Sequence, residues 1–226
     1  IVQPIFRKTH YYSISSLINT EDTMKLYGTT TSPYARIARV VVFEKHLQNN
    51  IEFIWIKTRI PNDPFLSTNP SGRVPFLLLS DGLGLEDTPA IVDYLDALQK
   101  PYLFLHGMDR NNWEYRRLES TAKAMLDGLA VWVRELRRPN DEQSPTIIDH
   151  ELRRAERLSS FFNELTSNPV FSEEMNLAQL YLFAALDLER RIPEFQWRTK
   201  NIELSRWFDQ FNLGKSVKAS LAPQPV

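Results

Sequence analysis

Residues 24–98 alternate short runs of β-branched and aromatic side chains with stretches of helical spacing, and beyond residue 113 only helical spacing remains. That change of period limits the chain to a small α/β layer followed by a bundle of helices. Residues 25–28 (Lys25-Leu26-Tyr27-Gly28) read as a strand, and Thr29, Thr30 and Thr31 as a polar turn. Ser32 suits a helix N-cap, and Pro33 suits the first helical position, where an N–H would have no partner in any case. Ile37, Val40, Val41 and Glu44 then recur at spacings of three and four, with Arg36 and Arg39 between them, so the helix is expected to reach about His46. Residues 51–56 form the next strand, stopped by Pro61 and Pro64. A strand, a helix and a strand imply a parallel pair. Asn69-Pro70-Ser71-Gly72 reads as a turn, 74–79 as a third strand, Asp81-Gly82 as a tight hairpin and 83–85 as a fourth strand. Asp87 and Thr88, with Pro89 behind them, cap a helix that ends near Leu98.

Residues 101–112 read as a linker. Leu118, Met125, Leu129, Trp132, Val133 and Leu136 mark one long amphipathic helix that stops before Pro139. Residues 152–165 mark a second helix, and 176–190 a third, with Asn176 and Gln179 at capping-box spacing. Pro193 interrupts, and 202–211 supply a last short helix before a proline-containing tail. The domain expectation is therefore a leader or extension at 1–23, an α/β domain at 24–100, the linker at 101–112 and an all-helical domain at 113–226. Residues 1–23 carry Arg7, Lys8 and several serines without a signal-peptide core. They read either as a leader ahead of a start at Met24 or as a transit segment.

Composition narrows the functions open to such a fold. Lysine plus arginine total 27 and aspartate plus glutamate 28, so no global field draws in nucleic acid. Cysteine is absent, which removes disulfides, thiolate metal sites and a protein-borne thiol nucleophile. Any thiol chemistry must use a thiol that the substrate brings. The apolar runs fall short of the ~20 residues a membrane-spanning helix needs, and the expected location is cytoplasmic. His10, His46, His106 and His150 show no ligand spacing, so no metal is expected and these histidines read as surface residues. Trp113, Trp132, Trp197 and Trp207 sit at helical spacings and read as core.

Three places carry candidate chemistry. Ser32 at a helix start combines a hydroxyl, free backbone N–H groups and the positive end of a helix dipole; it is either a plain cap or an anion site. A free thiol with a pKa of about 8.5 would ionise more readily there, the serine donating a hydrogen bond to the thiolate. Val74-Pro75 opens an apolar strand; the bond is either an ordinary trans link or a cis link that turns the Val74 backbone toward an extended peptide ligand. Asp87 and Thr88 cap a helix and could also hold an ammonium and a carboxylate of one ligand. Arg73 is either a solvated surface residue or the partner of a further carboxylate.

Taken in order, Lys25-Leu26-Tyr27-Gly28, Ser32-Pro33-Tyr34, Arg39, Asn69-Pro70-Ser71-Gly72-Arg73-Val74-Pro75 and Asp87-Thr88-Pro89-Ala90-Ile91 resemble the N-terminal domain of glutathione S-transferases. In the second half, Asp127-Gly128-Leu129, Arg134-Glu135, Arg137-Arg138-Pro139 and Pro193-Glu194-Phe195-Gln196-Trp197 are similar to the bacterial-type serine members, near the tau, zeta and omega-like branch. The resemblance implies a thioredoxin-like α/β domain plus an all-α domain, a homodimer, and conjugation of glutathione, the cosubstrate, to a small hydrophobic electrophile. It gives Ser32 the contact to the glutathione sulfur and Val74, ahead of a cis Pro75, the pairing with the cysteinyl backbone. Asp87 and Thr88 receive the γ-glutamyl end and Arg73 the neighbourhood of the glycyl carboxylate. The electrophile is expected between the Thr29 to Thr31 loop and the helix around residues 115–132.

The sequence departs from the family pattern in several places. Asp-Thr replaces the usual acid and serine, and Asn176 and Gln179 replace a hydroxyl residue and an aspartate. Omega-like members carry a cysteine where Ser32 stands, and the serine-serine-cysteine signature of zeta members is absent. The rival readings are a non-catalytic binding or regulatory protein on this scaffold, and a glutathione-dependent reductase or peroxidase.

Overall fold

The structure, a computed structural model, describes residues 23–102 and 112–223. The expectations for residues 1–22, and for 103–111 of the linker, fall outside the described residues, as do His10 and His106.

Strand β1 (Met24–Gly28) runs into helix α1 (Pro33–Glu44), which returns the chain to strand β2 (Ile51–Trp55), parallel to β1 with Gly28 opposite Trp55. A Cβ on Gly28 would meet the Ala35 Cβ at 3.0 Å, so glycine lets the end of β1 lie close against α1. A short helix α2 (Phe65–Thr68) leads to the turn at 69–72, where Gly72 takes φ 63°, a conformation that favours glycine. Strand β3 (Phe76–Leu78) pairs antiparallel with β1, and β4 (Gly84–Leu85) pairs antiparallel with β3. The sheet order is β2-β1-β3-β4, and helix α3 (Thr88–Leu98) packs beside α1. Ile37, Val40 and Val41 of α1, Leu26 of β1, Leu77 of β3 and Ile91 of α3 are all buried in the layer between them.

The second half is helical: α4 (Trp113–Glu135), α5 (Pro145–Glu164), α6 (Pro169–Ser172), α7 (Leu177–Leu186), α8 (Ile202–Asn212) and α9 (Lys215–Ala219). A 3-10 turn over Asp187–Arg191 extends α7. Helix α7 is buried on every side because α4, α1, α6 and α8 all pack on it. It joins the two halves through α1, and α9 seals the same face of α1. No helix among the described residues is long and apolar enough to cross a membrane.

The thioredoxin-like sheet half and the helical C-terminal region agree with the expected fold class, while several details differ from the sequence reading. Strands β3 and β4 are shorter than expected, because Val74 and Pro75 precede the ladder and Leu83 sits in the turn. Helices α2, α6 and α9 leave no periodic signal in the sequence, since four or five residues are too few to establish a period. Trp113 is 68% exposed rather than core, at the first turn of α4. Only half of the expected capping box forms: Asn176 Oδ1 accepts from the Gln179 N–H at 3.1 Å, but the Gln179 side-chain amide donates to Val170 O instead of reaching back.

Candidate functional site

Strand register brings the candidate residues to one end of the sheet. Tyr27 lies opposite Phe76, so the chain leaving β1 toward Ser32 emerges beside Val74 and Pro75, where β3 begins. Leu85 lies opposite Leu77, so residues 86–88 continue toward the same end. Helices α1 and α3 both start there and direct the positive ends of their dipoles at it.

Ser32 is the N-cap of α1, and its Oγ accepts from the Ala35 N–H at 3.1 Å. That bond occupies a lone pair and leaves the hydroxyl proton to donate outward. The Val74–Pro75 bond is cis, and Val74 is half-buried. Arg73 is exposed; its carbonyl accepts from Asn69 Nδ2 at 2.8 Å and its N–H donates to Ser71 Oγ at 3.1 Å. Asn69, 1% exposed, thus ties down the turn that presents Arg73 and Val74. Asp87 caps α3, its Oδ1 accepting from the Thr88 N–H at 2.5 Å. The Thr88 side chain is fully buried, and its Oγ1 has no hydrogen-bond partner among the described residues.

Residues that the sequence reading left without roles surround this end. Tyr34, quoted as a motif residue, donates its phenol to Asp127 Oδ1 of α4, whose other oxygen accepts from Lys123 Nζ at 2.8 Å. Burial first, and then Asp127, hold the Tyr34 phenol far above its usual pKa, so it remains a donor. Arg36 and Arg39, read as lying between the apolar positions of α1, are themselves buried. Arg36 pairs with Asp187 at 2.8 Å, and Arg39 donates through Nε to Ser220 O at 2.9 Å with its guanidinium over the Trp55 ring. These partners lie more than 150 residues away in sequence, so no local spacing announces them.

Beside Ser32 lies a cavity of about 240 Å³. Thr30, Thr31 and Ser32 form one wall, residues 184–191 and the tail at 221–223 the others. The resemblance puts the second substrate toward α4, but no residue of α4 lines this cavity.

A mixed four-stranded sheet with two helix starts at one end, carrying a helical region docked on α1, defines the class: a thioredoxin-like domain with an appended helical domain. Residues 26–102 match the family model of the glutathione S-transferase N-terminal domain. The chain is 28% identical over 167 residues to the uncharacterized GST-like protein YibF of Escherichia coli strain K12, covering 72% of this chain and 80% of that one. Over 78 residues it is 36% identical to glutathione S-transferase 2 of Saccharomyces cerevisiae, covering 33% of this chain and 34% of the yeast protein. Among solved structures, a glutathione S-transferase from Methylobacillus flagellatus with glutathione bound superimposes with a TM-score of 0.77 at 29% identity, covering 88% of this chain and 98% of that one. Residues 26–102 thus form a glutathione S-transferase N-terminal domain, and the chain as a whole is similar to glutathione S-transferases.

Proposed function

We propose that this protein is a glutathione transferase that binds glutathione across Ser32, Arg73, Val74, Asp87 and Thr88, next to the cis Pro75. The observation that carries the reading is the Ser32 hydroxyl at the start of α1, already an acceptor toward Ala35 and with its proton left to donate, at the sheet end where Val74 and Asp87 also emerge. The Methylobacillus relative was solved with glutathione bound, which supports the choice of ligand. In the proposed geometry the Val74 backbone pairs with the cysteinyl unit of glutathione. Asp87, one oxygen engaged with the Thr88 N–H, offers the other to the ligand ammonium.

The proposed chemistry is nucleophilic substitution or addition. The thiol proton passes to water, and the Ser32 O–H and the α1 dipole stabilise the thiolate that remains. A sulfur lone pair then forms the S–C bond; in a substitution on an aryl halide, the carbon–halogen pair departs with the halide. The family precedent adds a homodimer and a cytoplasmic location to the proposal, the first of which light scattering reads directly.

Calorimetry with glutathione and turnover on a chemical panel test this reading. Micromolar to millimolar binding together with turnover of aryl halides or epoxides is the expected result. Turnover confined to peroxides or mixed disulfides would replace conjugation by reduction, and no binding at all would remove the glutathione site.

A further inference from the structure

The cavity beside Ser32 holds more positive charge than its own residues neutralise. Arg36, Arg39, Arg190 and Arg191 line it, and Asp187 is the sole carboxylate among the lining residues. Asp187 serves both Arg36, at 2.8 Å, and Arg190, at 3.1 Å. Arg191 donates to a neutral acceptor, Thr31 O, at 2.6 Å, and Arg39 to Ser220 O at 2.9 Å. Four guanidinium groups against one carboxylate leave three positive charges uncompensated within the lining.

Arg190 is exposed, but Arg36 and Arg39 are not solvated surface groups. Arg39 is 4% exposed and Arg36 9%, and among the described residues no carboxylate pairs with Arg39. Burial first, and then Arg36, pull Arg39 down to about 10, and burial followed by Arg137 lowers Arg191. An anion entering the cavity would be met by charge-assisted donors in a partly desolvated setting, where such bonds are strongest. Pro33, Ala184, Leu188 and Leu221 supply apolar surface in the same space. The lining therefore suits a molecule with an apolar body and one acidic group.

We propose that the second substrate is an amphiphilic electrophile whose carboxylate is held by the arginines lining the cavity beside Ser32, while its apolar body carries the reacting carbon toward the thiolate. This inference names the substrate class of the transferase reading and rests on it. The arginine cluster orients the electrophile by its acid, so neutral electrophiles of equal reactivity bind less well.

Calorimetry with two conjugates, S-benzylglutathione and S-(carboxybenzyl)glutathione, tests the proposal on the unmodified protein, so it does not depend on any variant folding. The ring carboxylate is expected to tighten binding about tenfold. In Arg191→Gln, whose native contact is to a backbone carbonyl, the ratio of the two dissociation constants is expected to fall toward one. Equal binding of both conjugates by the wild type, or an unchanged ratio in Arg191→Gln, would overturn the carboxylate assignment and leave the transferase reading intact. Binding of neither conjugate would overturn the transferase reading and this inference with it.

Discussion

The Thr88 hydroxyl is enclosed in the free protein, so the proposed ligand reaches it only by turning it outward. A buried hydroxyl without a partner is uncommon, because a desolvated donor costs about 1–3 kcal/mol when unpaired. The Thr88 side chain is fully enclosed at the start of α3, yet no acceptor among the described residues meets its Oγ1. Thr88→Val keeps the shape and removes the hydroxyl, so the free protein loses nothing it was using. The expected outcome is an unchanged or slightly raised melting temperature together with glutathione binding weakened about tenfold. A lower melting temperature with unchanged binding would mean that the hydroxyl serves the fold instead.

At the scale of elements, the two halves meet through α1. Its N-terminal turn carries Ser32 at the proposed glutathione site, Tyr34 toward Asp127 of α4, and Arg36 toward Asp187 beyond α7. Tyr34→Phe deletes a bond to a charged acceptor but leaves Asp127 its Lys123 partner. The expected cost is about 1 kcal/mol, read as a melting point lower by about 2–4 °C. No change would show that the link between α1 and α4 contributes nothing measurable.

What could be read in the sequence follows from the same geometry. Helix starts at Ser32, Asp87 and Asn176 were legible because a cap and the N–H it binds lie within three residues of each other. Apart from α2, the strand-to-helix alternation up to Leu98 is legible because β1, α1, β2 and α3 each repeat their period at least twice. Tyr34 with Asp127 and Arg39 with Ser220 were not, since each pair is set by how α1 docks on helices far along the chain. The burial of Arg36 and Arg39 is not legible for a related reason: helical spacing marks the face toward the sheet, while a second face is buried by α7 and α9.

For the molecule as a whole, stability carries a pH signature from the helical half. Burial holds the half-buried Glu119 carboxyl of α4 above the usual carboxylate range, with the Tyr115 hydroxyl and Arg116 acting in the opposite sense. A carboxyl whose folded pKa is raised favours the folded state fully below its unfolded value and loses that contribution as pH rises through the folded value. Glu119→Gln is therefore expected to gain stability relative to wild type as pH climbs from acidic to neutral, by thermal melts at matched ionic strength. A difference between the two proteins that stays flat with pH would contradict the raised carboxyl.

The whole arrangement converges on one claim, that the protein ionises a thiol it does not itself possess: the chain has no cysteine, and Ser32 stands at the helix end where the proposed ligand sulfur would lie. The most direct test is an ultraviolet titration of the thiolate of bound glutathione in wild type and in Ser32→Ala. The account predicts a thiol pKa well below the free value of about 8.5 in wild type and a return toward it in Ser32→Ala, with glutathione still bound in both. The same pKa in both proteins would contradict it.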